Sequence, residues 1–435
     1  VDVPEPVELL QRLIRVDTTN PPGNEAELVG YLDGILRDAG VSTTLVESAP
    51  GRVNLIARVP GRGAASPLLM QGHLDVVPVS DHGWTHPPFS GEIADGFVWG
   101  RGALDMKSGV VMMLVALLRT LSEGTQPPGD VVLALLADEE AGGDRGAKYL
   151  VENRPELFDG VKYAIGEFGG FTMEIAGRRF YPIQVAEKQI CRIRATLRAP
   201  GGHGSLARPG GVTARLAEVL RRLDRRRLPV HVTPVVRTMI EAIAAELPAP
   251  AGRVARLLLR PALTGRMLAA AGEIGLTLAP MFSHTATPNI VSASGGAVNV
   301  RPTEAQIDLD GRLLPGFRPA DLLAELTALL GDDVELDVFR YDPVEMEPNL
   351  ELFDTLASVL REHDPSGTPV PLLMPASTDG RFFAQLGIQT YGFTPMTLPT
   401  SMAFSSLVHG VDERIPVEAV EFGTSCVTSL LTRFR

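Results

Sequence analysis

The sequence predicts an α/β fold: a mainly parallel-sheet domain covered by helices, with a second, α+β domain inserted into it. Three observations carry this. With 435 residues, at roughly 100–200 residues per domain, the chain has room for two or three domains. Up to Glu187, short and nearly continuous apolar runs alternate with helical stretches, as in a parallel sheet covered on both faces. After Glu187 the pattern becomes period-two, ICRIRATLRA, which marks a sheet with one solvated face.

Taken in order, the chain opens with an amphipathic helix, a loop at TTNPPGNE, and a second helix over about 25–39. Pro21, Pro22 and Gly23 break the chain between them. VNLIARV, PLLMQG, VVLALLA and KYAIG read as strands. MKSGVVMMLVALLRTL and the stretch around 145–153 read as helices. In the second domain the spacing predicts a helix over about 213–227 and an Ala- and Leu-rich helical region over 238–271. Two strands within VNVRPTEAQIDLDGRLL, a helix over 319–330 and the strand VELDVFRY follow. Strand, helix, two strands, helix and strand make a split α+β unit. The expected domains are thus 1–187, the inserted 188–343, and a tail, 344–435, that returns to the first.

Composition excludes several classes. Hydrophobic residues make up 45% and charged residues 21% of the chain, as in an ordinary globular protein. The net charge of −12 argues against nucleic acid or anionic membrane as a non-specific partner, since a polyanion needs positive surface. Two cysteines, Cys191 and Cys426, provide neither a disulfide framework nor a thiolate zinc site. No signal peptide is visible in VDVPEPVELL. Residues 274–300 lack Asp, Glu, Lys and Arg, but Pro280, Pro288, His284 and paired glycines break any membrane-span reading. The expected location is cytoplasmic. RRLDRRR at 221–227 reads as a solvated helix face.

The chemistry-bearing residues fall at strand ends. PLLMQG ends at His73, with Asp75 two residues on; VVLALLA ends at Asp138, Glu139 and Glu140; KYAIG ends at Glu167. Open α/β sheets bind ligands at the carboxyl ends of their strands. Asp105 lies in GRGALDMKSG before an apolar helix, and His409 in a loop after YGFTP. Two histidines and several carboxylates without cysteine suit zinc or a related divalent ion. Five candidates are too many for one tetrahedral ion and fit two ions sharing a carboxylate. Asp75, in HxD spacing, suits an outer partner that orients His73. Each piece has a bland reading: DEE after a strand is commonly a solvated helix start, and HxD alone is common. The remaining histidines, His82, His86, His231, His284 and His363, read as surface or loop residues. HExxH, G-x-S-x-G, a P-loop lysine and GxGxxG are all absent.

GHLDVVP, WTHPPFSGEIADGFVWGRGALDMKSG, ADEEAGG, GEFGG and GGHGSLARPGG together resemble the aminoacylase/carboxypeptidase metallopeptidase family. That family includes aminoacylase, glutamate carboxypeptidase, acetylornithine deacetylase and succinyl-diaminopimelate desuccinylase. The resemblance runs from about Leu13 to Glu418 and implies a zinc-binding α/β domain with an inserted lid, the surface through which such chains form a homodimer. It implies two Zn2+, replaceable by Co2+ or Mn2+. His73 and Glu167 would hold one, Glu140 and His409 the other, with Asp105 as bridge. Asp75 would orient His73, and Glu139 would be the general base on a water between the metals. The bond after Asp105 would be cis. His203 would polarise the scissile carbonyl, often across a dimer interface, while Asn299 and Arg312 would contact substrate. STDGRFF at 377–383 resembles a segment near the substrate pocket.

Two departures stand out: the family's NVIP is NVRP here, with Arg301 beside Asn299, and an extra helical region lies between about 228 and 282. The long lid resembles the carboxypeptidase S-like branch, which implies N-acyl amino acids or short peptides as substrates. A deacylase of acetylornithine or succinyl-diaminopimelate type is the alternative. A non-catalytic amino-acid or peptide binder would be expected to lack the base or a ligand, yet all are present. The expected activity is hydrolysis of amide bonds next to a free carboxylate.

Overall fold

The structure, a computed structural model, describes residues 2–206, 209–294, 296–344 and 348–435, with Glu273 described by its backbone alone. Ala207 and Arg208 of GGHGSLARPGG, Gly295 of GGAVNVRP, and residues 345–347 beside the expected 343/344 boundary lie outside the described residues. The chain divides into two compact units. One comprises Val1–Ala186, Pro348–Leu372 and Thr378–Arg435; the other comprises Glu187–Glu347 and Leu373–Ser377.

The first unit is mixed α/β with a mainly parallel central sheet. Its main strands are β1 (Thr43–Ala49), β2 (Arg52–Val59), β3 (Leu68–His73), β4 (Val131–Leu136), β5 (Tyr163–Gly166), β6 (Arg178–Glu187), β7 (Thr368–Met374) and β8 (Gln389–Gly392). The order across the sheet is β1-β2-β4-β3-β5-β8-β6-β7. β4, β3, β5 and β8 run parallel to their neighbours in that run. β1 and β2 pair antiparallel, as do β2 and β4, and β8 and β6. A tight reversal at Pro50-Gly51 joins β1 to β2, and so short a connection permits only antiparallel pairing.

The apolar runs are what the centre of such a sheet requires: every residue of β3 and β4 is buried. Helix α1 (Pro6–Ile14), α2 (Ala26–Asp38) and α3 (Lys107–Ser122) cover the sheet with Ala147–Asn153 and Val417–Leu431. α3 is apolar all round and has 13 of its 16 residues buried, so it is a core helix rather than a surface one. Each buried Leu, Val or Met of α3 contributes about 1.5–3 kcal/mol relative to exposure. This packing holds the start of α3, directly after Asp105, against β3.

The second unit has an antiparallel sheet of four strands in the order Thr285–Ala293, Glu304–Leu313, Gln189–Arg198, Glu335–Asp342. Helices Val212–Arg225 and Pro319–Leu330 pack on one another, the split α+β arrangement. One expectation is revised. The outer strand beside Glu304–Leu313 is Thr285–Ala293; the stretch around Asn299 forms only a short ladder, Val300–Arg301 with Gly202–His203. The helical region expected over 238–271 is present as several helices, with Pro248 and Pro261 at helix starts. Among the described residues no helix is long and apolar enough to cross a membrane.

Candidate metal centre

All the strand-end residues singled out above lie in the first unit, and the parallel strands bring them together. His73 is the last residue of β3 and is 1% exposed. Its Nδ1 lies 2.9 Å from the Asp75 carbonyl oxygen. That acceptor keeps the proton on Nδ1 and turns the Nε2 lone pair toward the cluster. Nε2 is 3.1 Å from Asp105 Oδ1 and 3.4 Å from Glu167 Oε2. The other Asp105 oxygen, Oδ2, lies 3.1 Å from His409 Nε2, which is itself 3.2 Å from Glu140 Oε2.

Two groups result, His73–Asp105–Glu167 and Asp105–Glu140–His409, each with ligand atoms within 4.8 Å of one another. Asp105 belongs to both, offering one oxygen to each. The donor chemistry fits a pair of divalent ions: imidazoles and carboxylates, one carboxylate shared. A second observation agrees. Glu140 Oε1 is buried and has no hydrogen-bond partner among the described residues, a costly arrangement for a carboxylate unless a cation meets it.

Local backbone supports this placement. The Asp105–Met106 peptide bond is cis. Asp138, Phe168 and His409 have φ of 71°, 66° and 61°, a region that bulky residues rarely occupy and that concentrates at functional sites. One precedes Glu139, one follows Glu167, and one is itself a candidate ligand.

Electrostatics show how much negative charge is gathered here. Burial raises the Glu167 carboxyl to about 7. Burial, and then the charge of Glu167, push Glu139 well above its ordinary value. His409 is raised to about 10 by its hydrogen bonds to Asp105 and Glu140. Burial opposes the charged forms of His73 and Asp105, yet their mutual contacts keep His73 raised and Asp105 lowered.

Asp75 is fully buried, but its carboxylate does more than face His73, whose Nδ1 is 3.6 Å from Oδ1. The carboxylate accepts the backbone N–H groups of Glu139 and Glu140, each at 3.2 Å, and the Asn20 side-chain amide at 2.8 Å. It therefore holds the turn that carries both glutamates. Sequence reasoning passed over several such supports. Asn20 also donates to Asp138 at 3.1 Å. Glu413, four residues after His409, accepts the Leu104 and Asp105 N–H groups at 2.7 and 3.1 Å and pairs with Arg101 at 2.5 Å. Arg381 donates to Thr378 O at 2.5 Å and Gly142 O at 2.9 Å, with Nη1 3.9 Å from Glu139 Oε1. Asp379 is 1% exposed, its two oxygens have no partner among the described residues, and burial raises it to about 7. Only the STDGRFF segment, without roles for its residues, pointed to these last two. Beside Asp105 and Glu167 lies a small space, with room for about one water, lined also by Leu104, Met106, Phe168, Thr394, Met396, Phe404 and Val408.

The other expected residues lie in the second unit. His203 is exposed and its Nδ1 is 2.7 Å from Ser205 Oγ. The Asn299 carbonyl accepts the Gly204 N–H at 2.7 Å, so Asn299 and His203 share one local ladder. Arg301, the departure from NVIP, donates to Gly210 O at 2.8 Å and braces that loop. Arg312 Nε donates to Asp310 at 3.1 Å and Nη1 to Ser377 Oγ at 3.2 Å; Asp308 is taken by Arg194. His284 corrects the reading of the spare histidines as surface or loop residues: it is 1% exposed, enclosed with His231 and Phe317. His231, His284 and Glu325 form a third ligand-like group. Here the Leu314 N–H donates to His284 Nδ1 at 3.1 Å, which places the neutral ring's proton on Nε2, the nitrogen facing Glu325. That removes the lone pair a metal would need.

A family profile described as peptidase family M20/M25/M40 matches residues 69–433. Probable carboxypeptidase S-like 2 of Dictyostelium discoideum is 28% identical over 369 residues, 81% of this chain and 68% of that one. N-fatty-acyl-amino acid synthase/hydrolase PM20D1 of Mus musculus is 30% identical over 372 residues, 81% of this chain and 71% of that one. The fold is similar to that of an M20 family metallo-carboxypeptidase, Sso-CP2, from Sulfolobus solfataricus, with a TM-score of 0.69, 20% identity and 98% of both chains covered. The chain belongs to peptidase family M20/M25/M40 and is a hydrolase of amide or peptide bonds.

Proposed function

We propose that this enzyme hydrolyses N-acyl amino acids bearing an apolar acyl group, using two divalent cations, zinc by donor chemistry, held by His73, Asp105, Glu140, Glu167 and His409. The observation that carries this is the pair of ligand groups sharing Asp105, with Glu139 beside them and in neither. Bound there, the cations would supply a water of lowered pKa and Lewis-acid polarisation of the carbonyl. Glu139, whose buried carboxyl has a raised proton affinity, takes the proton from the attacking water and returns it to the leaving amine. Asp75, Asn20 and Arg381 keep the Glu139 turn in place. We read residues 188–343 as the lid: His203 donates to the developing oxyanion, and Arg312 with Asn299 receives the free carboxylate. The apolar acyl group is favoured by the name of the mouse relative, an N-fatty-acyl-amino acid synthase/hydrolase.

The test pairs two variants. Asp105→Ala should sharply weaken retention of both metals after dialysis, while Glu139→Gln should retain them and lose turnover of N-acyl amino acids. Two zincs held tightly by Asp105→Ala would overturn the bridge.

A further inference from the structure

His409 is the one candidate ligand that neither a sheet strand nor a core helix delivers. His73 ends β3, Glu167 directly follows β5, and Asp105 stands just before α3. Glu140 lies in the turn after β4 that Asp75 holds. His409 instead sits in the loop between Phe404–Leu407 and Arg414–Pro416. Half of its side chain is exposed, whereas those of Glu140 and His73 are 5% and 1% exposed.

Two buried residues tie this loop down. Arg414–Pro416 pairs antiparallel with Phe97–Trp99, Arg414 opposite Trp99. Glu413 precedes that ladder and Arg101 follows it, so each stands where a loop leaves for the metal centre. Arg101 is 2% and Glu413 0% exposed, with the Arg101 guanidinium over the Trp84 ring. Arg101 Nη1 donates to Glu413 Oε2 at 2.5 Å, and Nη2 donates to the His409 carbonyl oxygen at 3.2 Å. Glu413 Oε1 accepts the Leu104 and Asp105 N–H groups at 2.7 and 3.1 Å. The pair therefore joins the backbones of two members of the Asp105–Glu140–His409 group. Among the described residues neither side chain bonds to His73, Glu140 or Glu167. An ion pair so buried adds little net stability, because desolvation offsets its attraction. Its consequence is geometric: it fixes how far apart the Asp105 and His409 loops stand.

We propose that Arg101 and Glu413 are positioning residues for one of the two cations, that of Asp105, Glu140 and His409, a role that rests on the two-cation reading above. They set the affinity of that site without touching the metal. The cation of His73, Asp105 and Glu167 depends less on them, since two of its ligands are carried by the central sheet. Arg101 separates the two effects. Its planar fork meets Glu413 and the His409 carbonyl together, whereas a lysine ammonium is a point charge without that fork. In Arg101→Lys, Glu413 keeps a cationic partner and its hold on the Asp105 N–H, and the tie to His409 is lost.

The test is zinc titration of the metal-free full chain against a competing chromophoric chelator. The wild type should take up two zincs. Arg101→Lys should hold one as the wild type does and the other about 10–100-fold more weakly, the usual effect of removing a partner that orients a ligand. Cobalt absorption identifies the site that stays tight. One equivalent of Co2+ in Arg101→Lys should give the visible spectrum of His409→Ala loaded alike, and not that of Glu167→Ala. Glu413→Gln keeps the size of the side chain and removes the charge that Arg101 meets; it should weaken the same zinc. Two zincs held as tightly as in the wild type by Arg101→Lys, or both weakened alike, would overturn the inference and leave the two-cation reading standing. A wild type that takes up fewer than two zincs would overturn that reading itself, and the inference with it.

Discussion

Replacing Asp75 by Asn separates two jobs that the HxD spacing merges. If Asp75 only orients His73, the amide should cost metal affinity alone, about 10–100-fold. The geometry assigns the carboxylate a larger share elsewhere: it accepts Glu139 N–H on Oδ1, and Glu140 N–H and the Asn20 amide on Oδ2. Hydrogen bonds to a charged acceptor contribute about 1.5–3 kcal/mol each, against about 1 for neutral ones. An amide oxygen at the Oδ2 position keeps two of the three bonds in weaker form and sets its NH2 against the Glu139 N–H. Two weakened bonds and one opposed donor amount to about 3 kcal/mol in Asp75→Asn; Asp75→Ala, which orphans all three donors, should lose about 5 kcal/mol. The assay is urea unfolding of the metal-free protein, where zinc linkage does not enter, with the midpoint falling at constant m, alongside chelator competition for zinc and kcat on an N-acyl amino acid. kcat should fall with stability, because the same bonds hold Glu139. An unchanged unfolding midpoint with only zinc affinity reduced would refute the reasoning.

Three further outcomes follow from the second unit. Lys188, buried and donating to Pro280 O, Ser283 O and Thr285 Oγ1, has its pKa lowered by burial from 10.5 to about 7. Between those values the unfolded chain holds the extra proton, so stability should rise with pH across that window. Lys188→Met should remove up to about 1.4 kcal/mol per pH unit of that slope, read from urea unfolding across a pH series. Arg312→Ala should lower kcat/KM on N-acyl amino acids by an amount equivalent to roughly 2–5 kcal/mol. Lys should rescue poorly, since it lacks the fork that meets a carboxylate, and an amidated substrate should be indifferent; equal losses on both substrates would make Arg312 structural. His203→Ala should lower kcat about 100-fold with metal content unchanged, and near-normal kcat would remove it from the mechanism.

Alternation of apolar runs with helices was enough to read the central sheet, because buried parallel strands leave no solvated face to interrupt them. The positions of His73, Glu139, Glu140 and Glu167 were legible for the same reason: an acidic or imidazole residue at the end of an all-apolar strand stands where a sheet opens. The metal-ligand candidates were thus written locally, one short motif each. Their partners were not. Asn20, Glu413 and Arg381 come from segments far from the residues they support, and a polar residue in a loop looks solvated until the fold encloses it. His284 was misread for that reason, and so was the share of Asp75 that goes to the backbone of Glu139 and Glu140. The sequence by itself determined which residue types reach the strand ends and that a divalent cation could meet them. Only the tertiary structure decided how Asp105 divides its two oxygens between two histidines, and which ring nitrogen of His73 faces them. Those are distances between residues remote in the chain, and spacing along one strand or helix carries no information about them.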